Sequence, residues 1–227
     1  MPSRTALIKI HLKIKAVIFD MDGVITNTMP DHYAAWKTVL AEQDIQVTHL
    51  DIYRREGQRG IHSVQEIFAE YQKPFEHQKA LKILKAKEKL FKKIVKTRFI
   101  IGARQFLKDL HRHGLRLALV TGTSRHELHR ILPDEFYRLF EAVVTGSDVK
   151  NGKPHPEPYL KAVKLLRVKP TQAVVIENAP FGIQSAKAAG LRCLALETSL
   201  PKAYLNAADA VFPSVKVLRR TTRFYEN

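Results

Sequence analysis

The sequence predicts an α/β fold: a three-layer core built on a parallel sheet with helices on both faces, and a helical domain inserted after the first core strand. Three observations carry this. The second half of the chain alternates short apolar runs with helical stretches, the pattern of parallel strands joined by crossover helices. An unbroken apolar run, Val17-Ile18-Phe19, leads straight into Asp20, as in a strand buried on both faces. From Pro30 to about residue 98 the periodicity is helical, with no obvious strand of the main sheet.

Taken in order, residues 1–15 alternate Ile8, Ile10, Leu12 and Ile14 with Lys9, His11, Lys13 and Lys15. This period of two is strand-like. An edge strand, an ordered leader and an organelle-targeting segment all stay open. The stretch lacks the long apolar centre and small-residue cleavage site of a secretory signal. Next comes KAVIFDMDGVITNT, Lys15 to Thr28, a strand that ends in acids and turns at Gly23. Pro30 to Ala41 is helical, and residues 45–100 continue as helices broken at Gly57, Gly60 and Pro74. Within them, KALKILKAKEKLFKKIVK (Lys79 to Lys96) spaces Leu81, Leu84, Leu90, Ile94 and Val95 as one long amphipathic helix with a solvated lysine face.

Gly102 to His113 forms a further helix, closed by Gly114. Strands are then expected at Leu115–Val120, Ala142–Thr145, Ala173–Ile176, Arg192–Leu196 and Ala210–Phe212. Helices are expected at Arg125–Leu132, Glu157–Leu166 and Gly182–Ala189. The basic tail, Lys216 to Asn227, is expected to pack loosely. The division is therefore a core of residues 1–28 and 99–227 and a helical cap of residues 29–98.

Composition narrows the function. With 227 residues and 45% apolar content, a packed core is expected. The single cysteine, Cys193, excludes an internal disulfide framework, reads as a small buried hydrophobe, and fits a cytoplasmic, reducing setting. No apolar run approaches the roughly 20 residues of a membrane span. The formal charge of +16 attracts anions, nucleic acid or phosphorylated metabolites alike. Without zinc-ligand spacing, an arginine-glycine tract or an aromatic stripe, a dedicated nucleic-acid face is not expected. A monomer is expected.

Chemistry gathers at the strand ends. Asp20 and Asp22, two apart on extended backbone, point to one side beyond the carboxyl end of a strand. Such a pair can hold a divalent cation, or divide the roles of nucleophile and acid/base. Thr121, Gly122, Thr123 and Ser124 follow the next strand, where a hydroxyl and free N–H groups make an anion cradle or an ordinary helix cap. In Gly152-Lys153-Pro154-His155-Pro156-Glu157-Pro158, three prolines stiffen the loop around one lysine, and Asp148 upstream is a candidate to orient it. Glu177 and Asn178 end a third strand, as a hard-cation site or as a cap for the helix near Pro180.

The order DxD, Thr, Lys-Pro and acidic strand end resembles the four motifs of the haloacid dehalogenase superfamily. GKPHPEPY and IENAPFGIQSAKAAG are similar to its later motifs, and the resemblance runs from Lys15 to Val217. Within it, the chain looks most like the β-phosphoglucomutase and sugar-phosphate phosphatase group, whose Rossmann-like core carries a helical cap after the first strand.

The resemblance implies that Asp20 is the nucleophile and Asp22 the acid/base. It implies that Thr121 and the Gly122 N–H hold the phosphoryl group and that Lys153 balances charge. Mg²⁺ would be served by Asp20, Asp22 (through its main-chain carbonyl), Glu177 and Asn178. The group's usual fourth motif is Glu-Asp, so the neutral Asn178 implies weaker metal binding. An acid at Asp22 favours phosphate esters, with water or a second sugar phosphate as acceptor. His32 falls where the mutase has a histidine that gates the acid/base. The loop with Gly57 and Arg59 resembles the substrate loop, but the mutase's arginine for the distal phosphate aligns with Gly60. Arg59 is one residue early, leaving Lys89 or Lys92 as the cap's other cation. The expected function is a Mg²⁺-dependent phosphatase of a small phosphorylated metabolite, a sugar phosphate first. A phosphosugar mutase is the alternative, and a nucleic-acid-binding protein that has lost catalysis the remote one.

Overall fold

The structure, a computed structural model, describes residues 10–225. In chain order its elements are β1 (Ile10–Lys13), β2 (Ala16–Phe19), α1 (Met29–Ala41), α2 (His49–Tyr53), α3 (Gly60–Glu70), α4 (His77–Ile94), α5 (Ala103–Arg112), β3 (Arg116–Val120), α6 (Arg125–Ile131), α7 (Asp134–Tyr137), β4 (Ala142–Val144), α8 (Glu157–Leu165), β5 (Ala173–Glu177), α9 (Pro180–Ala188), β6 (Arg192–Leu196), β7 (Ala210–Phe212), α10 (Val215–Thr221) and β8 (Thr222–Tyr225).

Among the described residues, six parallel strands form one sheet in the order β4-β3-β2-β5-β6-β7. This is a doubly wound α/β sheet of Rossmann type. Alternation along β2 explains why it is apolar throughout. Val17 and Phe19 join the core against α5, α6 and α10, while Ala16 and Ile18 join the core against α8 and α9. Winding reverses between β2 and β5, and a crevice outside the carboxyl ends of the strands is expected there.

Helices α1 to α4 pack around a cluster of their own that includes Trp36, Leu40, Ile52, Val64, Ile67 and Ile83. On α4 the apolar side is Ala80, Ile83 and Phe91, whereas Leu81, expected on that side, is exposed. The lysine-rich face is solvated as expected: Lys82, Lys85, Lys89 and Lys93 are exposed.

The tail departs from expectation. It forms α10 and then β8, which pairs in parallel with β1 in a small sheet of its own. Leu12 and Leu218 are fully buried and the Phe224 ring lies 5.6 Å from that of Phe106, so the alternating start of the chain gives the tail an apolar partner. The first part of that alternation, residues 1–9, lies outside the described residues, as do residues 226–227. Cys193 is buried and unpaired. Among the described residues no helix is long and apolar enough to cross a membrane.

Candidate active site

Strand β2 pairs with both β3 and β5, so the residues that end these strands meet. Asp20 follows β2, Thr121 follows β3, and Glu177 closes β5. The Asp20 N–H donates to the Ile176 carbonyl at 3.0 Å, which extends the ladder and fixes the start of the loop. Gly23 turns the chain away with φ +86°, and a Cβ there would stand 2.1 Å from the Asn178 amide nitrogen.

Lys153 is buried and bridges two acids. Its Nζ donates to Asp20 Oδ1 at 2.6 Å and to Glu177 Oε1 at 2.7 Å. Glu177 accepts three more bonds, from the Tyr159 hydroxyl at 2.9 Å and from the N–H groups of Asn178 (2.7 Å) and Ala179 (3.1 Å). Its roughly four acceptor sites are therefore taken. Here the helix-start reading of Glu177 and the charged-site reading hold together. Gly182 leaves it room, since a Cβ would fall 1.6 Å from Oε1.

Burial pushes the Asp20 carboxyl well above the usual carboxylate range; Lys153 opposes this, while Glu177 and Asp22 add to it. Burial alone would lower Lys153, but Asp20 and Glu177 reverse the effect and hold its ammonium above the ordinary lysine range.

Asp22 has different surroundings. Its carboxylate accepts from the hydroxyls of Thr28, Thr123 (3.3 Å) and Thr121 (3.5 Å), and His32 Nε2 lies 3.6 Å away. Burial pushes Asp22 up, yet His32 and Thr28 outweigh it and leave the group below the usual carboxylate range. Gly122 lines two adjoining cavities, of about 190 and about 230 Å³.

The Lys153 loop is tied by Glu157, which accepts from the N–H groups of Lys150 (2.8 Å) and Asn151 (2.9 Å). Asp148, the expected orienting group, instead closes its own turn by accepting from Thr145 (N–H 2.8 Å, hydroxyl 2.6 Å) and pairs with Arg125 at 2.6 Å. Its side chain is spent before it could reach Lys153.

His32 reaches the site from α1. Its ring stacks on Phe91 at 4.0 Å, and Nδ1 lies 3.0 Å from Lys87 Nζ. Lys87 is the cation here, not Lys89 or Lys92. Lys89 is exposed, and Lys92 pairs with Glu127 at 3.2 Å. The signal for Lys87 lay in the helix period: it interrupts the Ala80, Ile83 and Phe91 face. Gly57, with φ +82°, lets the loop of the insertion rest on Lys153, whose Cδ would be 3.2 Å from a Cβ at that position. Arg59 turns outward to the Lys150 carbonyl and borders the larger cavity. Thr28, Glu56 and Tyr159 also meet the site residues, and no spacing rule singled them out.

Asn178 Nδ2 donates to Ser199 at 2.8 Å, while its buried Oδ1 has no hydrogen-bond partner. The register of β2 against β5 brings Asp20 to the end of the strand that Asn178 follows, and this orphaned oxygen suits a hard divalent cation. A second group, Asp22, His32 and Glu56, also gathers its ligand atoms within 4.8 Å. There the Lys87 amine already sits 3.0 Å from His32, with burial drawing its pKa below the ordinary lysine range.

A family model for the haloacid dehalogenase-like hydrolases matches residues 17–196. The chain belongs to the haloacid dehalogenase-like hydrolases. A phosphorylated carbohydrates phosphatase of Thermotoga maritima is 33% identical over 78% of this chain and 82% of its own. A β-phosphoglucomutase of Bacillus subtilis is 29% identical over 78% and 81%. Among solved structures, CbbY of Rhodobacter sphaeroides in complex with phosphate superposes with a TM-score of 0.71, is 25% identical, and covers 90% of this chain and 96% of that one. The protein is thus an enzyme of the phosphatase and phosphomutase branch of this family.

Proposed function

We propose that this hydrolase is a Mg²⁺-dependent phosphatase of a small phosphorylated metabolite, a sugar phosphate first, acting through an aspartyl-phosphate on Asp20. The observation that carries the reading is two buried carboxylates, two residues apart, in different surroundings. Asp20 faces an ammonium, and Asp22 faces hydroxyls and an imidazole. An ammonium at 2.6 Å favours the ionised Asp20 that attack needs, and an imidazole beside Asp22 suits that carboxyl to pass a proton.

Asp20 attacks phosphorus, and the leaving alkoxide takes a proton from Asp22. Water then attacks the aspartyl-phosphate, with Asp22 as base. His32 beside Asp22, with Lys87 behind it, gives the proton a path in and out. At ~4 Å and an effective dielectric near ~20, each pair of like unit charges costs about 4 kcal/mol, so attack on a phosphate dianion needs cations at the site. Lys153 is one. Thr121 and the Gly122 N–H would hold the phosphoryl oxygens. Asp20, the Asp22 main-chain carbonyl and Asn178 would hold Mg²⁺, with Glu177 acting on the site chiefly through Lys153. When bound, Mg²⁺ neutralises the charge that spreads over the transferring group.

One observation favours a mutase: His32 Nε2 lies 3.6 Å from the Asp22 carboxylate. Against it, the cavity beside Asp22 offers no unpaired guanidinium for a second phosphate. Arg55 is buried against Glu66 (3.1 Å) and Glu70 (2.5 Å), and Arg59 binds a main-chain carbonyl.

The test is incubation with β-glucose 1-phosphate, Mg²⁺ and a trace of glucose 1,6-bisphosphate, following glucose 6-phosphate and inorganic phosphate, then phosphate release from a panel of esters. Phosphate release lost in Asp20→Asn supports the phosphatase. Glucose 6-phosphate without matching phosphate release would make it a mutase. Steeply salt-dependent duplex binding, with no turnover, would revive the nucleic-acid reading.

A further inference from the structure

Building on the phosphatase reading, we infer that the cavity beside Asp22 takes an uncharged, hydroxyl-bearing leaving group and rejects one with a second anionic group, with Glu56 and Glu88 setting the choice. The cavity, about 190 Å³, lies between α1, α3 and α4 and opens onto Gly122 and Thr123. That is below the roughly 300–1,000 Å³ of pockets for drug-sized ligands, so the alcohol it holds is small.

Its charges decide the rest. Among the described residues that line it, the cations are His32 when protonated, Arg55 and Lys87. Arg55 is consumed by Glu66 and Glu70 and by the Asp51 carbonyl at 2.7 Å. Lys87 sits against His32 and over the rings of Phe91 and Trp36, 4.9 and 5.4 Å from their centroids. The aromatic walls that could have held a ligand cation are thus already facing one. Glu127 is neutralised by Lys92. Glu56 and Glu88 remain on the wall with no salt bridge within 4 Å among the described residues, and the one Lys87 ammonium beside them offsets only one of their two charges. Carboxylates accept from hydroxyls and repel a carboxylate or a second phosphate. Gln58 and Ser63 add neutral hydrogen-bonding groups on the same wall, and buried His32 Nε2 has no hydrogen-bond partner. The crevice carries the Lys153 ammonium at the phosphoryl end and, at the alcohol end, the two carboxylates of Glu56 and Glu88 against the single Lys87 ammonium.

The test compares a hexitol 6-phosphate with 6-phosphogluconate, which differ in a hydroxymethyl group against a carboxylate, with acetyl phosphate as a substrate that does not fill the cavity. The wild type is expected to favour the hexitol phosphate in kcat/KM by at least about tenfold. In Glu56→Gln/Glu88→Gln the preference should fall to about threefold or less, and the exposed single variant Glu88→Gln should move it the same way if the double variant does not fold. Equal kcat/KM for the two esters in the wild type overturns the inference while acetyl phosphate turnover keeps the phosphatase. An unchanged preference in the folded variants also overturns it. No Mg²⁺-dependent release from any of the three, acetyl phosphate included, overturns the phosphatase reading and this inference with it.

Discussion

Lys153 holds its ammonium 2.6 Å from the Asp20 carboxylate, both side chains buried, and reaches Glu177 at 2.7 Å with the same nitrogen. One cation thus serves two buried acids. Lys153→Met leaves Asp20 buried without its cation and Glu177 with only its neutral donors, and is expected to cost about 3–5 kcal/mol of stability at neutral pH, together with activity. Without the ammonium, burial of Asp20 goes unopposed, and the folded state holds a proton on that carboxyl more tightly than the unfolded chain does. The variant should therefore gain stability as pH falls toward the carboxylate range, the reverse of a chain that loses salt bridges to acid. Urea unfolding at several pH values checks the sign.

His32 is one of the groups that hold Asp22 below the usual carboxylate range. His32→Gln removes the imidazole beside Asp22, and burial then prevails, so the Asp22 carboxyl moves up. Asp22 must be ionised to act as base, so the acid limb of the pH–kcat profile is expected to move to higher pH. An unmoved limb would separate His32 from Asp22.

Gly182 is packed against Glu177. Gly182→Ala is expected to displace that carboxylate from Lys153 and Tyr159, destabilise the protein by about 1–3 kcal/mol, and depress kcat. Thermal melting and steady-state kinetics read the two effects separately.

Much of this site was legible in the chain. Asp20, Thr121, Lys153 and Glu177 stand at strand ends or on a stiff loop, where local pattern and chemistry coincide, and the structure brings them together. The core strands and the helices around them fall within a residue or two of their apolar runs. What was hidden depended on packing between distant segments. Lys87 was masked by the many lysines of α4, although its place in the apolar face marks it. The ordered tail depended on β1, more than 200 residues earlier. Arg55 and Arg59 look alike in sequence, and only their partners separate them: Arg55 is tied to two carboxylates, Arg59 to a main-chain carbonyl.

Asn178 brings an orphaned oxygen and no charge to the crevice. Asn178→Asp adds a charge that favours Mg²⁺, and the Mg²⁺ concentration for half-maximal rate is expected to fall about tenfold, a change of roughly 1.4 kcal/mol. Mg²⁺ activation curves of the two proteins check this. An unchanged curve would mean that Asn178 does not touch the metal.

The central claim is that Asp20 carries the phosphoryl group. Acid quenching of the enzyme during turnover of acetyl phosphate, followed by mass analysis of the peptide that holds Asp20 and Asp22, tests it most directly. The account predicts one added phosphoryl group on Asp20, dependent on Mg²⁺ and lost in Asp20→Asn. Mg²⁺-dependent release that persists in Asp20→Asn, with no phosphorylated peptide in either protein, would contradict it.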